Sequence, residues 1–268
     1  TVALLLAQKK DPTCLPKLSD QLGHGIRTNS ESLIGVVSRK KDVDLSEGIA
    51  IGSIYETDSV SHLEPVRYST GSGLFRLLVA PHVGGDNPFI RIAKLAGICV
   101  RHPLQIIKAL TVRNFAEQTA ILLYMRSTEG TLRLTRNWLG GLGTAPGEGE
   151  LPTAYIPEAT ALAKQFSQEA DGMPFSMFTE TLFNIPTPAH ILGGCCMGES
   201  IETGVIDAQH EVHGYPGLYV MDGAAISANP GVNPSLTITA LTERAVSMLP
   251  RKGEALRAPA ESSALTGS

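Results

Sequence analysis

The segment from His190 to Leu249 constrains this chain more than any other, because it places glycine, asparagine and proline where backbone geometry is most demanding. It opens His190-Ile-Leu-Gly193-Gly194-Cys195-Cys196-Met-Gly198 and continues through Gly217-Leu-Tyr-Val-Met-Asp222-Gly223. It closes on Gly231-Val-Asn233-Pro234-Ser235-Leu-Thr-Ile-Thr-Ala240. Leu218 to Met221 is a short apolar run bounded by Gly217 and Asp222-Gly223, the pattern of a buried strand ending in a turn. Asn233 and Pro234 read as the N-cap and first position of a helix, since asparagine accepts from orphan amides and proline needs no donor there. Ile238, Leu241, Ala245 and Leu249 then recur at helical spacing. Such a helix aims free N–H groups and the positive end of its dipole at whatever precedes Asn233, a position suited to a group that gains negative charge. His190, flanked by the Gly193-Gly194 pair, is placed to face the same spot from another segment.

Composition narrows the rest. A chain of 268 residues, 43% apolar and 18% charged, supports one large or two modest domains with a real core. A net charge of -4 without a basic cluster argues against a nucleic-acid partner. No apolar run is long enough to span a bilayer. The chain opens at Thr1 inside the apolar run Val2 to Leu6, which reads as a piece of a longer polypeptide, so any targeting signal lies outside it. Cys14, Cys99, Cys195 and Cys196 lack metal-like spacing, and no metal site is expected. A disulfide between the adjacent Cys195 and Cys196 would be strained. Buried free thiols then favour a reducing compartment such as the cytoplasm, although the compartment stays open.

In chain order, Thr1 to Gln8 reads as a helix end broken by Asp11-Pro12, and Leu15 to Ile26 as a short helix followed by a turn. Asn29 falls in a polar stretch where a solvated loop is the plain reading. Leu33 to Val37 and Ile49 to Ile54 are β-like runs. Glu64 precedes Pro65 and is pushed toward extended geometry, on a strand from which it can project into a cavity. Pro103 to Met125 carries apolar residues at helical intervals, a core-facing or lid helix. Arg101, Lys108 and Arg113 keep a transient membrane-surface contact open as well. Thr131 to Thr135 alternates as a strand, Gly140 to Gly149 reads as a flexible surface loop, and Pro157 to Ala170 as a helix. His210 and His213 read as solvated histidines, and the tail 251–268 as disordered.

The His-x-Leu-Gly-Gly-Cys motif at His190 to Cys195, the Asp222-Gly223 pair and Gly231 to Ala240 together resemble the C-terminal signature of the glucose-methanol-choline family of FAD-dependent oxidoreductases. The wording is nearest to its cholesterol-oxidase-like members, and Ser61 to Tyr68 resembles the stretch where those enzymes carry an active-site glutamate. The resemblance implies an α/β fold in which an α+β substrate domain, 37–184, is inserted in a Rossmann-like FAD-binding domain. Residues 1–36 and 185–250 would be the parts of that FAD domain. The glycine fingerprint for the FAD pyrophosphate is absent from the sequence, as expected of a fragment lacking the N-terminal nucleotide-binding βαβ unit.

By the same resemblance, His190 and Asn233 are the pair that handles the alcohol over the flavin. Glu64 moves a proton across the sterol ring, and Asp222, Gly223, Asn233, Pro234 and Ser235 lie against FAD. Hydride must go to a cofactor, because side chains cannot accept it. Histidine titrates near neutrality, which suits proton transfer. The implied activity is oxidation of a sterol or similarly bulky alcohol, with O2 among the candidate electron acceptors. Two alternatives stay open: a non-sterol alcohol oxidase or dehydrogenase of the same family, and an inactive flavoprotein fragment. A hydrolase built on Cys195 or Cys196 lacks an acidic orienter and a nucleophile elbow.

Overall fold

The computed structural model describes residues 1–137 and 140–250; the tail 251–268 lies outside them. Its centre is a six-stranded antiparallel sheet in the order β2-β3-β5-β1-β8-β4. The strands are β1 (Ser32–Ser38), β2 (Tyr55–Asp58), β3 (Ser61–Val66), β4 (Val79–Pro81), β5 (Thr119–Arg126) and β8 (Gly172–Met177). A separate hairpin pairs β6 (Gly130–Arg136) with β7 (Leu142–Gly149). The helices are α1 (Val2–Lys10), α2 (Pro88–Arg101), α3 (Pro103–Leu110), α4 (Pro157–Glu169), α5 (Phe178–Phe183) and α6 (Ser235–Ser247). The expected mixture of helices and strands is thus present.

Register gives the sheet two unlike faces. Opposed residues in an antiparallel ladder share a face, and alternate residues along a strand change face. Ile34, Val36, Leu63, Leu122 and Tyr124 point to one side and pack on Ile156, Ala159 and Ala163, at the start of and along α4. Leu33, Leu123 and Glu64 are mutually opposed on the other side, as are Gly35, Ile121 and Val66. Toward β8 that second face is covered by Ala109 and Phe115 against Val37, Met173 and Phe175.

A different core joins the two ends of the chain. Val2, Leu5, Leu22 and Ile26 pack on Cys195, Val205, Ile206, Val220 and Ala225. The backbone laces them: Gly23 N–H donates to Gly194 O at 2.8 Å, Arg27 N–H to Leu192 O at 2.8 Å, and Gly193 N–H to Gly223 O at 2.9 Å. This crossing is why the Gly193-Gly194 pair is glycine. Both have positive φ, and a Cβ on Gly193 would stand 2.1 Å from Gly25 O. Any side chain there would force the segments apart.

Several sequence expectations change. The helical segment expected over Pro103 to Met125 ends at Leu110, and Thr119 onward is the central strand β5. Its β-branched and aromatic residues obey sheet burial, which overrides the spacing of the alanines and leucines. The longest helix is instead α2, started by an Asn87 side chain that accepts from Phe89 N and Ile90 N. Leu15 to Ile26 forms turns without a helix, consistent with positive φ at Gly23 and Gly25. The expected loop at Gly140 to Gly149 contains β7, held by the ladder to β6. Leu218 to Met221 keeps its buried Val220 but makes only an isolated bridge, Glu211 to Tyr219. His210 is not solvated: it is 1% exposed and pairs Nδ1 with Val220 O at 2.8 Å. Cys14 and Cys99 are exposed, Cys195 is buried, and all four cysteines are free thiols.

His82 ties the layers together, its Nδ1 2.7 Å from Ser176 Oγ on β8 and its Nε2 3.0 Å from Thr160 Oγ1 on α4. Burial, and then the charges of Arg91 and Lys164, push its pKa from 6.5 down to about 4. The unfolded chain therefore binds the proton first, and stability present above pH 6.5 is lost as pH falls toward 4. The effect is on the order of 3 kcal/mol. Urea unfolding of wild type and H82Q should show the wild-type advantage shrinking across that window; a gap constant with pH would contradict it.

Candidate active site

Two buried carboxylates organise the chemistry on the second sheet face. Glu31, whose side chain is fully buried, accepts from His190 N at 2.9 Å and faces His190 Nδ1 at 2.8 Å. A carboxylate only accepts, so Nδ1 carries the proton and Nε2 keeps a basic lone pair. Glu64, 5% exposed on β3, accepts from Asn233 Nδ2 at 2.6 Å through Oε2. Its Oε1 lies 3.4 Å from His62 Nε2, within ion-pair range but without hydrogen-bond alignment. Glu64 thus lies in the interior, as a residue projecting from a strand into a cavity would.

Register brings these anchors together. Glu31 stands two residues before Leu33, and Leu33 is opposed through Leu123 to Glu64. Strand spacing and rise put the Glu31 and Glu64 Cα atoms about 12 Å apart on one face. His190 is held at one anchor and Asn233 at the other.

Asn233 is not the helix cap expected from sequence. The cap of α6 falls at Pro234, and no side chain caps the helix. The buried carboxylate of Glu64 offers a charge-assisted bond that a neutral backbone amide does not match. The first amides of α6, at Ser235, Leu236 and Thr237, consequently have no intrahelical acceptor. Pro234 is buried and Ser235 exposed. Asp222 is engaged locally, accepting from Ala224 N at 2.9 Å and from the Thr1 hydroxyl. Gly223 approaches the His190 segment closely, since a Cβ there would be 3.3 Å from Leu192 Cδ2.

Asn29 is completely buried rather than solvated. It donates Nδ2 to Val232 O at 3.0 Å, beside the Sδ of Met125 at 3.1 Å, while its Oδ1 has no partner. A buried acceptor left open in this way is a group awaiting a donor.

Next to these residues lies an apolar cavity of about 220 Å³. Its floor is the second sheet face, at Leu33, Gly35 and Ile121, and its wall includes Thr187, Pro188 and Ala189, which lead directly to His190. Glu180 on α5 holds that wall by accepting from Thr187 N at 3.0 Å. Burial foremost, opposed by the Thr187 bonds and aided by the nearby charge of Glu31, raises its carboxyl to about 7. The Cys195 thiol is pushed up to about 12 by burial and then by Asp222, so it is no nucleophile at neutral pH. Among the described residues no three His, Cys, Asp or Glu side chains gather in a metal-binding group.

Sequence reasoning missed Glu31, Glu180 and His62. His62 was within reach, because residues two apart on a strand share a face and Glu64 was already placed on one. Glu31 and Glu180 carry no such signal; their partners lie 159 and 7 residues away at irregular positions.

Residues 132–242 match the GMC oxidoreductase family. The chain is 41% identical over 251 residues to a cholesterol oxidase of Acinetobacter baumannii, covering 92% of this chain and 45% of that protein. It is also 41% identical over 266 residues to a cholesterol oxidase of Mycobacterium tuberculosis (strain ATCC 25618 / H37Rv), covering 95% and 46%. The chain thus spans about half the length of the curated relatives it matches. Among solved structures, a formate oxidase aligns with a TM-score of 0.48 and 13% identity, over 86% of this chain and 47% of that one.

Removing the Glu31 carboxylate should release both donors of His190. E31A is expected to lower stability by about 1–3 kcal/mol and to let the imidazole tautomers mix. Nitrogen-15 spectra of the ring check this. Wild type should give a single Nδ1–H form, and a wild-type Nε2–H spectrum would contradict the assignment.

Proposed function

Since residues 132–242 match the GMC oxidoreductase family and the chain is 41% identical over most of its length to cholesterol oxidases, we propose that the complete protein oxidises a sterol or similarly bulky alcohol with FAD. In this reading residues 1–36 and 185–250 belong to the FAD-binding domain and 37–184 to the substrate-binding domain. The observation that carries the proposal is the anchoring of His190 and Asn233 on one sheet face beside an apolar cavity.

The residues present suit a flavin. Asn29 Oδ1 is a buried acceptor without a donor, and the open amides of α6 suit a ring that gains negative charge. Asn233, Pro234 and Ser235 would lie against it, with Asp222 shaping the turn that brings the Gly223 backbone close. What the cofactor supplies when bound is acceptance of the carbinol hydrogen with its electron pair.

The chain's own work is acid–base and positional. His190 Nε2 takes the hydroxyl proton of the alcohol, because Nδ1–H is committed to Glu31. Asn233, oriented by Glu64, holds the substrate oxygen. Leu33, Ile121 and Phe175 keep water from the reacting carbon. With a 5-ene 3-hydroxysterol, Glu64 then moves a proton between ring carbons and brings the double bond into conjugation. A carboxyl group set in apolar surroundings suits such shuttling.

Partners follow from the same reading: a bulky alcohol and O2 as electron acceptor. Phe89 and Val100 on α2 and Leu104 on α3 are 80%, 80% and 70% exposed, an apolar surface suited to transient contact with lipid. Among the described residues no helix is long and apolar enough to cross a membrane. A second reading, a smaller non-sterol alcohol, draws support from the cavity, whose 220 Å³ is below the usual range for ligand pockets. A substrate panel with peroxide detection on the full-length protein separates the two. Glucose-like or short-chain alcohols turning over faster than sterols would favour the second.

E64Q in the full-length protein should keep alcohol oxidation and release the unconjugated ketone, read by the loss of the conjugated-enone absorbance. Normal conjugated product would remove Glu64 from the mechanism.

A further inference from the structure

A carboxyl group that works in a buried pocket needs a route by which its proton equilibrates with solvent. Glu64 and His62 lie two residues apart on β3, on the same face, and both are buried, at 5% and 7% exposure. His62 Nε2 is 3.4 Å from Glu64 Oε1 and has no hydrogen-bond partner, an uncommon condition for a buried ring nitrogen. Across the ladder His62 is opposed on one side by Met125 of β5 and on the other by Glu56 of β2. β2 is the sheet edge, and Glu56 is exposed. Side chains directly opposed in this way have Cβ atoms about 5 Å apart. The groups facing His62 are therefore Glu64 on its own strand, Glu56 on β2, Met125 on β5 and, through Glu64, Asn233.

We infer that His62 is a positioning residue that carries protons between the buried Glu64 carboxyl and solvent at the β2 edge. The inference rests on the reading of Glu64 as the group that moves the sterol ring proton. After Glu64 has taken a proton from a substrate carbon, its neutral acid passes that proton from Oε1 to His62 Nε2. The carboxylate is regenerated, the imidazolium exchanges its ring protons with water beside Glu56, and one of them returns through Nε2 to Oε1; no electrons move. Protons delivered back to the ring then come in part from solvent. The 3.4 Å separation suits a contact that tightens when the carboxyl turns, as catalytic hydrogen bonds commonly do on substrate binding.

The test is turnover of cholesterol in D2O by full-length holoprotein, with deuterium in the isomerised ketone measured by mass spectrometry. Wild type should incorporate deuterium at the newly protonated carbon, and H62Q and H62F should still isomerise while incorporating at least about tenfold less. Glutamine keeps a polar side chain at the site but cannot relay, so equal loss in both variants separates relay from packing. Label absent from wild type, or unchanged in both variants while E64Q blocks isomerisation, overturns the relay and leaves Glu64 in place. Conjugated product from E64Q overturns the reading of Glu64, and the relay with it.

Discussion

The arrangement depends on two carboxylates buried against one face of an antiparallel sheet. An ionised carboxylate out of water is costly unless its oxygens are fully engaged. Glu31 meets that demand with two donors from His190, and Glu64 meets it at Oε2 with the Asn233 amide, while its Oε1 stands 3.4 Å from His62 Nε2 without a hydrogen bond. The same bonds that make burial tolerable hold one histidine and one amide that the chain keeps 43 residues apart. Satisfying the acids and building the site are one event.

The sheet makes this possible through its unlike faces. Its α4 side packs as an apolar core that fixes the strands, and its other side is left partly open as the cavity floor. A slip of one residue in the β1, β5 or β3 register would turn Leu33 and Glu64 into the α4 core and separate the anchors. The glycine crossing at Gly193-Gly194 does complementary work, bringing the His190 segment against the turn at Gly223. Glu180, whose carboxyl burial pushes up to about 7, secures the wall between cavity and His190 by accepting from Thr187 N.

The sequence singles out His190, Asn233 and Glu64 as candidates, and the structure engages all three, His190 with Glu31 and Asn233 with Glu64. Strands β1 and β3 and helices α1, α4 and α6 followed from pattern and punctuation. The failures share a cause. Thr119–Arg126 is buried on both faces in the middle of the sheet, so its apolar residues show no strand alternation and mimic a helix. β7 is rich in glycine and is fixed by its ladder to β6 rather than by propensity. Asn233 looked like a cap because the local grammar favours one, and a carboxylate 169 residues away won it instead. Long-range pairing of buried charge is what a single sequence conceals.

The most direct measurement is a crystal structure of the full-length protein with the proposed flavin. The account expects His190 Nε2 and Asn233 Nδ2 to face a common point over the flavin ring, each within hydrogen-bond distance of a substrate oxygen placed there, with Glu31 and Glu64 behind them. A flavin bound elsewhere, or either side chain turned away from its ring, would contradict it.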